Sequence, residues 1–157
     1  MGYETKIIIG KSTTPTPEWE EDKEHPFDDG SGFPYKMDKL GREIPTGRME
    51  TYFSVYAELD LCKLGYQDDE LNRLAQKSHD KAKGKQFWFF YGTDGNTRIT
   101  EDSYGAGMTP MPIGKVLKAM KASIDKDDPY RRLAWAIALL ESMAKDSEGL
   151  EVLFYGH

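Results

Sequence analysis

The chain has 157 residues, 38 % of them hydrophobic and 12 % aromatic, with a formal net charge of −6 and one cysteine. That length and apolar content suit a single domain burying roughly two thirds of its unfolded surface, and they exclude a disordered chain. Cys62 alone supports neither an internal disulfide nor a multi-thiolate metal cage, and an acidic surface repels the phosphates of duplex nucleic acid.

Residues 3–9 predict a first strand, because Ile7, Ile8 and Ile9 are β-branched and Gly10 bounds the run. Residues 11–48 are a long acidic connection punctuated by Pro15, Pro17, Pro26, Pro34 and Pro45 and by Gly30, Gly32, Gly41 and Gly47. Loops of this length inside a domain are usually either functional or disordered. Asp38-Lys39-Leu40-Gly41 offers a turn for a short hairpin within it. Residues 51–61 then alternate: Phe53, Val55, Ala57, Leu59 and Leu61 point to a core, while Tyr52, Ser54, Tyr56, Glu58 and Asp60 lie on a wetter side. Residues 68–83 predict a polar helix with a thin stripe of Leu71, Leu74, Ala75 and Ala82, ended by Gly84.

Gln86-Phe87-Trp88-Phe89-Phe90-Tyr91 and Asn96-Thr97-Arg98-Ile99 flank Asp94-Gly95, the signature of a two-residue type I′ hairpin. In that register Tyr91 faces Arg98 and Phe90 faces Ile99. Residues 113–124 predict an amphipathic helix on Ile113, Val116, Leu117, Met120 and Ile124. Asp128-Pro129 is a good N-cap and first-turn pair for a last helix reaching residue 145. Its core stripe is Leu133, Ile137, Leu140 and Ala144; Arg131, Trp135, Ala138 and Ser142 lie opposite. Residues 150–155 predict a closing strand. The expected architecture is one α+β domain over 1–157, a mostly antiparallel sheet of about five strands with three helices mainly on one face.

The motifs HExxH, GxSxG, GxxxxGK[ST] and GxGxxG are absent, and His25, His79 and His157 have no neighbouring constellation that would make any of them a general base. The expectation is a binding protein rather than an enzyme, with no cofactor and no metal. A calcium loop around Asp94 fails, because Gly92, Thr97 and Ser103 fall where a first ligand, a glycine and a bidentate glutamate are required. Three surfaces are candidates for binding. Phe87, Phe89 and Tyr91, with Arg98 across the hairpin, are either a strand covered on both faces, a platform that stacks a planar ligand such as a nucleotide or docks a partner, or a homodimer interface. Stacked bases gain ~1–3 kcal/mol per aromatic, so a platform has an energetic use. Trp135 with Arg131 forms a second candidate, since Trp and Arg dominate interface hot spots, unless the long loop or another helix covers it. The acidic segment 18–29 is a solvated face, or else a segment that folds onto a basic partner with Trp19 and Phe27 as apolar anchors.

Met1-Gly2-Tyr3-Glu4-Thr5-Lys6-Ile7 and Asp94-Gly95-Asn96-Thr97-Arg98-Ile99-Thr100-Glu101-Asp102-Ser103-Tyr104-Gly105 resemble segments of small, uncharacterised proteins of tailed bacteriophages. These blocks carry no catalytic residues to transfer. The resemblance implies an accessory protein that binds and disables a host protein, or one that sequesters a nucleotide signal of host defence. No leader sequence and no apolar run near the ~20 residues of a membrane helix is visible, so the expected place is the cytoplasm, the host's if the chain is phage-encoded. Host-protein binding is the leading expectation, nucleotide binding the alternative, and an enzyme of unrecognised type the third.

Overall fold

The structure is a computed structural model that describes residues 4–13, 36–37, 43–44, 46–59, 61, 69–83, 85–91, 97–99, 101–123 and 130–157. Strand β1 (Thr5–Thr13) is central and pairs antiparallel with β4 (Thr46–Ala57) on one side and β8 (Glu151–Gly156) on the other. The two-residue β7 (Met111–Pro112) extends the sheet beyond β8. On the far side β5 (Gln86–Tyr91) joins β4, and β6 (Thr97–Ile99) joins β5, giving the order β6-β5-β4-β1-β8-β7. Two further short strands, β2 (Lys36–Met37) and β3 (Glu43–Ile44), pair as the small hairpin that the Asp38–Gly41 turn implied.

The fold is α+β, but the sheet is mixed, which corrects the expectation of a mostly antiparallel one. β4 and β5 run parallel, Thr46 to Arg48 beside Gln86 to Trp88. The cause lies in the connection. Helix α1 (Glu70–Lys81) stands between β4 and β5, and a helical crossover returns the chain in its original direction where a tight turn would reverse it. Asp69 caps α1, its carboxylate accepting the Asn72 N–H at 2.8 Å. The other described helices are α2 (Ile113–Ala122) and α3 (Arg132–Asp146). No described helix is long and apolar enough to cross a membrane.

The apolar run of β1 divides by period two between two core clusters. Ile7 and Ile9, with Val152 and Phe154 of β8, pack with Leu71 and Ala75 of α1, Val116, Leu117 and Met120 of α2, and Leu133, Ile137 and Leu140 of α3. Ile8 and Leu153 instead pack with Met49, Phe89 and Met108. A strand buried on both faces needs an unbroken apolar run, and Ile7-Ile8-Ile9 supplies it. Met108 is delivered by a tight turn that Asp102 holds: its carboxylate accepts the Tyr104 and Ala106 N–H groups, each at 2.9 Å.

Three local expectations change. Gly10 does not end the first strand; it continues β1 through a bulge. Ile9 faces Phe53 but Gly10 faces Thr51, which leaves Tyr52 as the extra residue of β4. A Cβ on Gly10 would stand 1.8 Å from the Glu50 carbonyl oxygen, so the close approach of the two backbones requires glycine. Helix α3 starts at Arg132, with Arg131 at its cap position in the left-handed region (φ 58°) and no side-chain cap. Residues 128 and 129 lie outside the described residues. Finally, Phe89 faces Ile99, Phe90 faces Arg98 and Tyr91 faces Thr97. This register differs by one residue from the expected one, and such a slip exchanges which positions share a face. The Asp94-Gly95 turn itself lies outside the described residues.

Candidate functional site

A groove of about 350 Å³ opens between α3 and the end of β4. Ile7, Val55, Ala57, Ala136 and Leu139 give it an apolar lining, with Trp135, Tyr56, Arg132 and Glu58 completing it. The helix contributes Arg132, Ala136 and Leu139 at i, i+4 and i+7, so this stripe lies beside the Leu133, Ile137 and Leu140 stripe that enters the core. Trp135 is 64 % exposed, the largest side chain of the helix left in water. On β4, Tyr52 and Tyr56 are also half exposed, as is Phe53, which the alternation assigned to the core side. Phe53 faces Ile9 across the strands, yet it does not join the packed cluster around Ile7 and Ile9.

Charge closes one end of the groove. Arg132 Nη2 lies 2.6 Å from Glu58 Oε2, and the guanidinium also stands 4.9 Å from the Tyr130 ring centroid. Both ends of the ion pair are exposed, so it contributes on the order of 0–1 kcal/mol. It does balance a local conflict: Arg132 begins α3 where the helix dipole is positive and the first turn has no acidic residue. The Tyr56 hydroxyl donates to the Glu4 carboxylate. That hydrogen bond, together with desolvation and the Glu4 and Glu58 charges, pushes its pKa up to about 12. Glu4 is fixed by paired backbone bonds to His157, whose ring lies 5.3 Å from that of Tyr56. The phenol serves Glu4 as a hydrogen-bond donor, and its ionisation moves still further from neutrality.

The expected site residues scatter. Trp135 is exposed at the groove, and Arg131 is exposed at the start of the same helix. Phe89, in contrast, is 2 % exposed and packs edge-on against Tyr155 with ring centroids 6.0 Å apart. It is a core residue, which removes it from any open stacking platform. Phe87 is half-buried against the same cluster, with the Lys85 ammonium 5.7 Å from its ring centroid. Tyr91 and Arg98, expected face to face, are registered with Thr97 and Phe90 instead, so positions 91 and 98 do not form a pair. The reason is the same one-residue slip. Trp19 and Phe27 lie outside the described residues. Of the groove residues the sequence singled out Trp135; Tyr56, Glu58, Arg132 and Leu139 are among those it did not. The available signal was aromatic: Tyr56 sits on the face of β4 assigned to water, where polar residues alone would be ordinary.

No protein-family model matches the chain, and no curated protein or solved structure does either.

Proposed function

We propose that the chain is a non-enzymatic binding protein that docks a partner protein on the face formed by α3 and β4. The observation that carries this reading is Trp135, 64 % exposed beside an apolar groove of about 350 Å³. Exposed Trp next to a preformed apolar pocket, rimmed by an Arg–Glu pair, matches the composition of interface hot spots. The reading takes the helices as lying mainly on one side of the sheet, which their shared cluster with Ile7, Ile9, Val152 and Phe154 supports. The negative charge favours a protein over duplex nucleic acid as partner. The resemblance of residues 1–7 and 94–105 to tailed-phage proteins favours a host protein of the cytoplasm, with inhibition as the consequence of binding.

The test begins with parallel capture from host extract by the wild-type chain, Trp135→Ala and the surface control Lys118→Ala. Any protein retained by the first and third but not the second is purified and titrated against all three. A hot-spot tryptophan contributes about 2 kcal/mol or more, so Trp135→Ala should raise Kd by roughly 30-fold or more while the control leaves it unchanged. Equal affinities for wild type and Trp135→Ala would move the interface elsewhere.

A further inference from the structure

Strand β4 has 12 residues, the longest of the described strands, yet β5 accompanies it only from Thr46 to Arg48. Beyond Arg48, among the described residues, β4 pairs with β1 alone, and Glu50, Thr51, Tyr52, Phe53 and Ser54 are all exposed. The run Thr51-Tyr52-Phe53-Ser54-Val55-Tyr56-Ala57 holds no charge, no proline and no glycine. An uncharged run of β-branched and aromatic residues on an open edge is the pattern that pairs with another copy of itself. Natural edges are guarded by brevity, by cover, by proline, by an edge lysine or by a bulge. The first four do not operate here: the strand is long, its open stretch is exposed, and the run contains neither proline nor lysine. Charge at the two ends is offset as well. Glu50 stands opposite Lys11 in the register, and Glu58 pairs with Arg132. What remains is the bulge, and Tyr52 places it inside the run.

We infer that the bulge at Tyr52 is the device that keeps the open edge of β4 from pairing with a second copy of the chain. A bulge bends its strand and sharpens the local twist. A straight incoming strand can then keep step with residues 53–57 or with residues 48–51, but not across both. Gly10 is the other half of the device, because only glycine admits the Glu50 carbonyl oxygen to a point 1.8 Å from where a Cβ would stand. Folding gains little from the arrangement. Tyr52 is 54 % exposed and stands outside the ladder, so the extra residue adds neither core packing nor a strand pair. The inference does not rest on the docking function proposed above.

The experiment compares the full chain with a variant lacking Tyr52, by sedimentation velocity. Deleting Tyr52 leaves Thr51 opposite Gly10 and Phe53 opposite Ile9, so the alternation becomes continuous and every other pair is kept. The wild type should stay monomeric between ~10 and ~300 μM, the range in which unpaired strand edges associate. The deletion variant should form dimers or larger species there, with a dissociation constant below the wild type's by about tenfold or more. Adding Ser54→Lys, a charge at an exposed position of the same edge, should return the variant to a monomer. Gly10→Ala reports on the bulge itself: the fall it causes in the urea midpoint should shrink to about half or less once Tyr52 is gone. A deletion variant as monomeric as the wild type would overturn the inference. So would association that Ser54→Lys leaves intact, or a wild type that already associates with its β4 amides slowed. An undiminished cost of Gly10→Ala in the variant, or a variant that cannot fold, would overturn it too, the latter by giving the bulge a task in folding.

Discussion

Replacing Gly10 by alanine tests the closest backbone approach in the sheet. The added Cβ would lie 1.8 Å from the Glu50 carbonyl oxygen, 2.8 Å from its carbon and 3.2 Å from the Thr51 Cα. All three are backbone atoms, so no side chain can swing away, and β1 and β4 must separate at the bulge. Overpacking costs ~1–3 kcal/mol, and each ladder hydrogen bond lost costs ~0.5–1.5 kcal/mol more, so the expected destabilisation is about 2–4 kcal/mol. With a urea slope of ~1–3 kcal/mol per molar for a domain of this size, the midpoint should fall by roughly 1–2 M. Gly47→Ala is the internal comparison. There a Cβ would meet the Phe87 ring at 2.8 Å and the Lys85 side chain at 3.0 Å, atoms that can shift, so its loss should be smaller. A Gly10→Ala midpoint equal to wild type, or a Gly47→Ala loss exceeding it, would refute the bulge and the register on either side of it.

Trp135→Ala should leave stability within about 0.5 kcal/mol of wild type in the same assay, as exposed positions do; a loss of ~2 kcal/mol or more would place the indole in the core. The Tyr56 phenol should ionise at about 12, seen as the tyrosinate absorbance missing from Tyr56→Phe, and Glu4→Gln should bring it down toward the ordinary 10.0. Because its folded pKa is raised, the stability it contributes is complete below pH 10 and is lost as pH climbs toward 12; a wild-type transition at the ordinary value would contradict the Tyr56–Glu4 bond. Arg131→Gly should gain up to ~1 kcal/mol, since glycine relieves a left-handed backbone that costs other residues ~1–2 kcal/mol, and a loss would argue that Arg131 makes a compensating contact.

Elements whose signal is periodic were legible from sequence. The stripes Leu71–Ala75, Ile113–Met120 and Leu133–Leu140 all enter the core, and the Ile7-Ile8-Ile9 run, like Val152-Leu153-Phe154 of β8, is buried on both faces of the sheet. Elements decided by long-range geometry were not. The parallel pairing of β4 with β5 depends on where a helical crossover returns, and composition does not encode that. The hairpin register hinged on the connection between Tyr91 and Thr97: Asp-Gly suggests a two-residue loop, but one residue more or fewer exchanges the faces and separates Tyr91 from Arg98. Trp135 was singled out because a helix cannot bury every side; its neighbours Tyr56, of β4, and Glu58, just past its end, lie seventy-odd positions earlier in the chain, and only the packing of α3 beside β4 brings them together.

Docking on the face shared by α3 and β4 is the proposal on which the other expectations depend. Its most direct test is an amide chemical-shift map of the isotope-labelled chain on adding a purified partner obtained with the Trp135 variants. The largest changes should fall on residues 132–139 and 50–58, with the Trp135 indole N–H among them. Changes centred on residues 86–91 or 18–29, with the groove silent, would contradict it.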